Sequence, residues 1–331
     1  MNNVDDKFSC AVIDSHVDLL YDLIRRHPAI GLPDLPDAWV SIPKLHVGGV
    51  RVIVSAFYCP DANNGPDKAA DYLRFLFDYS DKYLQGLATI RTVGELEACY
   101  HGKGAPGMLL LLENADALME ITPEKLKQRG FNVVGMTHVG RNRLGDGNAV
   151  ENPEGLTPAG RDLVRELDRI GFAIDTAHLS EPAFREVSEQ FSGPLISTHT
   201  GLRAFFDTPR NLSEEQVKTI LSRGGVIGIA AAPEILSADR QADINSVFRQ
   251  IDWLAQRHGP DGVGIGSDFG GFDSVCDRFE DHTRFPGLAK MLAHAGYPDQ
   301  AIEGIMGGNW FRFLSRLLTA SPGSAIYGGL R

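Results

Sequence analysis

In Gly171-Phe172-Ala173-Ile174-Asp175-Thr176-Ala177-His178-Leu179-Ser180, a glycine stops one helical pattern, an apolar run follows, a histidine closes it and a serine opens the next helix. The run is apolar without strict alternation, as expected of a parallel strand buried on both faces. Upstream, Thr157-Pro158 opens a helix with Thr as its cap and Pro at its first position. Leu163, Val164, Leu167 and Ile170 share one face of that helix, and Gly171 stops it. Downstream, Ser180 caps a helix through Glu189 that Ser192-Gly193-Pro194 breaks.

The same unit recurs along the chain. Strand-like runs fall at 11–15, 51–57, 108–112, 132–137, 172–177, 195–198, 226–230 and 263–267. Thr92-x-x-Glu95 and Ser213-x-x-Gln216 read as capping boxes between them. Strands alternating with helices in this number predict an α/β fold, a single (β/α)8 TIM barrel with its site at the C-terminal ends of the strands. A doubly wound open sheet is the alternative, but no G-x-G-x-x-G follows the first strand. Gly264-x-Gly266 inside the last strand reads as a close-packing feature. No linker, repeat or low-complexity tract divides the sequence, so residues 1–331 are expected to form one domain.

Composition narrows the function. The chain has 331 residues, 43% of them hydrophobic, and a formal net charge of -11. That is enough apolar matter for a large core, and an acidic surface does not neutralise nucleic acid phosphates. The four cysteines form no C-x-x-C pair, and scattered thiols suit a reducing compartment. The acidic start, Met1-Asn2-Asn3-Val4-Asp5-Asp6, is no secretory signal. No apolar run is long enough for a membrane span, and the end, Tyr327-Gly328-Gly329-Leu330-Arg331, carries no hydrophobic anchor signal. A cytoplasmic enzyme acting on small molecules is expected.

Metal-capable residues repeatedly stand where a strand ends. The first strand leads to His16 and Asp18, the third to Glu113, the fourth to His138, the fifth to His178, the sixth to His199 and the eighth to Asp268. A barrel would bring all seven to one face. His16 and Asp18, two apart on extended chain, point the same way and offer one ion a nitrogen and an oxygen. His178 and His199 could hold a second ion, with Glu113 bridging the two. Nitrogen and oxygen donors without thiolate favour two Zn2+, with Mn2+ or Co2+ as substitutes. Ions about 4 Å apart would bring the pKa of a water between them to about 7 and supply a bridging hydroxide. Asp268 would then shuttle a proton to the leaving amine, and His138 would polarise the scissile carbonyl.

These residues resemble the membrane (renal) dipeptidase family, a branch of the amidohydrolase superfamily, from residue 11 to residue 315. The resemblance rests on Gly155-Leu156-Thr157-Pro158, Asp175-Thr176-Ala177-His178-Leu179-Ser180, Ser197-Thr198-His199, Pro209-Arg210-Asn211-Leu212, Gly224-Gly225-Val226-Ile227-Gly228, Gly264-Ile265-Gly266-Ser267-Asp268-Phe269 and Gly307-Gly308-Asn309. It implies the same roles for the seven residues above. It also implies that Arg210 binds the terminal carboxylate of a small dipeptide, that a D-residue is accepted at the C-terminal position, and that homodimers are common.

The sequence departs from the family at Asn114-Ala115-Asp116, where members often carry a Gly-Gly-His-type segment, and at 139–147, where the mammalian type reads Cys-Asn-x-Pro-Trp. Both segments are expected to border the pocket for the N-terminal residue. Asn114 and Arg141 are therefore candidate substrate-binding residues, and Arg141 or Arg143 would bias the pocket towards polar or acidic side chains. Lactonases, phosphotriesterases and N-acyl amino acid deacylases are the closest enzymatic alternatives. They usually open with H-x-H and often bridge with a modified lysine after the fourth strand; here His16-x-Asp18 and His138 stand instead, which also disfavours a mononuclear deaminase. A catalytically inactive peptide-binding barrel would lack a ligand or the shuttle carboxylate, and none is missing.

Overall fold

Nine strands form one sheet in the computed structural model, which describes residues 10–320. They are β1 (Val12–Val17), β2 (Val50–Tyr58), β3 (Ala88–Thr89), β4 (Gly107–Glu113), β5 (Phe131–Gly135), β6 (Ala173–Asp175), β7 (Leu195–Thr200), β8 (Ile227–Ile229) and β9 (Val263–Ile265). Their order is β2-β1-β9-β8-β7-β6-β5-β4-β3, and a further pairing of β2 with β4 closes the ring. β1, β2 and β4 to β9 are thus an eight-stranded parallel barrel surrounded by helices, as expected. β3 was not anticipated. Its two residues pair only with the first residues of β4 and are too few to carry a pattern.

The local signals act as read. Thr92 and Ser213 form complete capping boxes, and Thr157 caps the helix Pro158–Ile170, which ends on Gly171 in the left-handed region. Leu163, Val164, Leu167 and Ile170 are all buried. The glycines of β9 mark close approaches. A Cβ at Gly264 would stand 2.2 Å from Trp310 Nε1, and one at Gly266 would stand 1.7 Å from the Thr198 carbonyl oxygen.

Trp310 belongs to the helix Asn309–Ala320, which packs it with Phe313 and Leu317 against Ile13, Val52, Leu109 and Val133 of the barrel. Asn309 Nδ2 donates to the carbonyls of Pro260 and Val263 and fixes this helix at the entry of β9. The entry side is therefore filled with apolar side chains, and the polar residues collect at the exits of the strands. No helix among the described residues is long and apolar enough to cross a membrane. All four cysteines are free thiols. Residues 1–6 and 327–331 lie outside the described residues.

Candidate metal centre

Glu113, the last residue of β4, is the pivot of the site. Its two carboxylate oxygens face different imidazoles. Oε2 lies 3.6 Å from His16 Nε2 on β1, whereas Oε1 lies 3.1 Å from His178 Nε2 and 3.7 Å from His199 Nε2. His178 Nε2 and His199 Nε2 are 3.0 Å apart, and Asp18 Oδ2 is 3.5 Å from His16 Nε2. Donors about 2.0–2.1 Å from a tetrahedral zinc stand about 3.4 Å from one another, so these spacings match edges of coordination polyhedra. His16 Nε2 and Asp18 Oδ1 are buried with no hydrogen-bond partner in the protein, as atoms awaiting an ion would be. Asp268 joins His16 and Asp18, and His138 joins Glu113 and His178, in sets of donor atoms that lie within 4.8 Å of one another. These residues fit a metal pair bridged by Glu113.

The backbone is bent sharply to aim them. Asn114, His178 and Asp268 adopt φ of 71, 66 and 64°, the left-handed region that non-glycine residues avoid. Such conformations concentrate at functional sites, where packing enforces them.

Behind these candidate ligands stands a second set of residues. Thr198 Oγ1 lies 3.0 Å from Nδ1 of His16 and 3.0 Å from Nδ1 of His199, and donates its own proton to Asp175 Oδ2. With Nε2 of both rings turned towards Glu113, both Nδ1–H groups donate to that oxygen. One hydroxyl, using its donor and two lone pairs, thus sets the tautomer of a histidine in each half of the site. Asn148 Oδ1, 3.3 Å from His178 Nδ1, does the same for the third ring.

Two buried aspartates brace the strands. Asp14 accepts from the Ser267 amide and hydroxyl at 2.8 and 2.5 Å and from the His16 amide at 3.3 Å, and faces His282 Nε2 at 2.9 Å. Asp175 accepts from the amides of Ala177 and Thr198 at 3.1 and 2.9 Å. Asp175 also lies within ligand reach of His16 and His199, but its oxygens are committed to the backbone and Thr198. None of these bracing roles was anticipated, because each depends on pairing across the barrel.

The charges interact strongly. Burial opposes a charged His16, but Glu113 and Asp18 outweigh it and hold the imidazole well above its ordinary value. Burial also opposes a charged Glu113, yet His16 and His178 hold its carboxyl well below the usual range. Burial, reinforced by Arg210, pushes His178 well down; burial, His16 and Arg210 do the same to His199. Burial and the neighbouring Asp18 push Asp268 well up, a carboxyl suited to carry a proton. A dication among them would favour ionised carboxylates and neutral imidazoles.

A cavity of about 600 Å³ opens over these residues, lined by Asp18, Glu113, His138, His178, Arg210 and Asp268 together with Tyr21, Tyr58, Asn148, Glu234, Arg240 and Phe272. Arg210, on the loop after β7, places Nη2 3.0 Å from the His199 carbonyl and 3.4 Å from His178 Nε2. Its Nη1 is buried with no partner.

Asn114 and Arg141 do not line this cavity. Asn114 is spent on Cys59, Asn64 and Asn142. Arg141 is half-exposed on Asp146 at 2.5 and 3.1 Å, and Arg143 is tied to Asp116 and Glu120. The departures from the family pattern bear on how the loops are built, and the arginine bias expected for the N-terminal pocket has no basis in this geometry.

A parallel barrel carrying such a donor set at its strand ends has the architecture of a metal-dependent hydrolase. Residues 7–324 match the model of the membrane dipeptidase family, peptidase family M19, and the chain belongs to that family. It is 30% identical over 219 residues to the dipeptidase tcpJ of Claviceps purpurea, covering 65% of this chain and 50% of that protein, so it spans half the length of that relative. Among solved structures it is similar to a dipeptidase of family M19, with a TM-score of 0.81, 26% identity and coverage of 96% of this chain and 100% of that one. A metallopeptidase from Rhodobacter sphaeroides, liganded with a phosphinate mimic of the dipeptide L-Ala-D-Ala, gives a TM-score of 0.81, 25% identity and coverage of 94 and 99%.

Proposed function

We propose that this protein is a cytoplasmic dipeptidase that uses two zinc ions and accepts L-Xaa-D-Xaa as well as L-Xaa-L-Xaa substrates. The carrying observation is Arg210, whose guanidinium stands 3.4 Å from His178 Nε2 and keeps Nη1 unpartnered. A guanidinium fork is built for a carboxylate. An anchor this close to the metal residues leaves room for one residue between the carboxylate and the bond that breaks. The substrate is then cut one residue from its C-terminus. The phosphinate ligand of the Rhodobacter sphaeroides relative supports the same reading, including the D-residue.

His16 and Asp18 would hold one ion, His178 and His199 the other, and Glu113 both. When bound, the ions supply Lewis acidity and water activated near neutral pH. The chain's own residues do the rest. Arg210 orients the substrate, the bend at Asp268 aims its carboxyl into the cavity to pass a proton to the leaving amine, and His138 faces the carbonyl. The test is a panel of both dipeptide classes with zinc-loaded and chelator-stripped protein. Hydrolysis restored by zinc is expected. A folded, two-metal sample that cleaves no dipeptide but opens lactones or cleaves N-acyl amino acids would transfer the site to another amidohydrolase reaction.

A further inference from the structure

His138 is the one imidazole of the cavity without a bracing partner among the residues described so far, and its ring must be aimed for it to act on a carbonyl. We infer that Asp61, on the turn after β2, is the positioning residue that aims His138, and that a relay of asparagine amides holds Asp61 in place. This rests on the dipeptidase reading for its kinetic consequence, but not for its geometry.

Asp61 Oδ2 lies 3.2 Å from His138 Nδ1 and accepts the Gly140 amide at 3.0 Å. The approach is close: a Cβ at position 140 would stand 3.1 Å from that oxygen and press on the carboxylate. Burial works against a charged Asp61, but His138 and the Gly140 amide keep its carboxyl below the usual range, so it accepts and does not donate. The proton of the contact therefore sits on Nδ1, and Nε2 is left for the cavity. Tyr58 Oη stands 3.4 Å from the same nitrogen, and its ring packs 4.6 Å from the imidazole, which limits rotation.

Asp61 is itself fastened. Asn64 Nδ2 donates to Asp61 Oδ1 at 3.2 Å, Asn114 Nδ2 donates to Asn64 Oδ1 at 2.8 Å, and Asn142 Nδ2 donates to Asn114 Oδ1 at 2.8 Å. Asn142 closes the chain by accepting the amides of Leu144 and Gly145 at 2.8 and 3.0 Å. Three loops, after β2, β4 and β5, are thereby locked together. Asn114 is wholly buried, so its amide has no solvent to fall back on. This gives Asn114 a part in the site through His138 rather than through the substrate.

The test uses the zinc-loaded full chain with Asp61→Ala, Asp61→Asn and Asn114→Gly, the last suited to the φ of 71° at that position. Two-bond 1H–15N correlations of the His138 ring, assigned with His138→Asn, report which nitrogen carries the proton without any substrate. Wild type should show Nδ1–H, and Asp61→Ala should lose it. Such a support typically affects function about 10–100-fold, and kcat should fall by that factor with KM and metal content nearly unchanged. Asp61→Asn keeps an acceptor oxygen and should recover most of the loss, and Asn114→Gly should fall in between. An unaltered tautomer in Asp61→Ala, or loss of metal in step with kcat, would overturn the inference. If no dipeptide is cleaved at all, the tautomer still decides it while the proposed function fails.

Discussion

The two halves of the candidate metal centre are built from opposite materials. Around β1 and β9, His16 is flanked by the carboxylates of Asp18 and Asp268, and its imidazole is held well above its ordinary value. Around β6 and β7, His178 and His199 face each other beside Arg210, and both are pushed well down. One half is lined by carboxylates, and the other sets two imidazoles beside a guanidinium. Their braces share one plan, a buried aspartate on a hydroxyl and two amides, and differ in that Asp14 also holds His282. On the proposed function this would be a division of labour, with proton transfer in the β1/β9 half and the negative substrate end in the β6/β7 half.

The largest effect should come from removing the carboxyl proposed to move the proton. Asp268→Asn is expected to retain both ions and to lose about 10²–10⁴-fold in kcat, the usual range for a lost acid–base group. Metal analysis alongside turnover checks it; full activity would show that the carboxylate half has no such role. Thr198→Val comes next, because it touches both halves. Affinity for both ions should drop about 10–100-fold together. Chelator competition read at each ion would break the comparison if only one half weakened.

The smallest effect lies at the foot of the imidazole half. Lys127 donates to the Gly171 carbonyl at 2.9 Å and packs over Phe172, just before β6. Burial pulls its pKa down from 10.5 to about 8. Between those values the unfolded chain holds a proton that the folded chain has released, so stability rises with pH across this window. The advantage of Lys127→Met over wild type should shrink by about 1–2 kcal/mol between pH 7 and pH 10.5. Urea midpoints of both proteins at both pH values measure it, and a constant difference would contradict it.

Much of this was legible in the chain. The barrel follows from eight apolar runs separated by helical patterns, several of them opened by a recognisable cap, and the candidate ligands are the residues that close the runs, as His178 closes the strand before Ser180. What escaped depends on contacts between residues far apart in sequence. His282 reads as a loop histidine, yet it holds Asp14 on the first strand. Thr198 reads as the neighbour of a ligand, yet its hydroxyl orients His16 as well. Asn114 was expected in the pocket because it follows Glu113; a left-handed turn sends its side chain into the loops instead.

The same left-handed turns have a consequence for protein engineering. At positions 178 and 268 the chain holds a non-glycine residue where glycine would be at ease, at a cost of order 1–3 kcal/mol each. A library selected only for thermal tolerance would be drawn to glycine at both places. Its winners would keep the barrel and lose the residue proposed as a metal ligand or the one proposed as the proton carrier. Selection for robustness in this protein therefore has to be run together with selection for turnover.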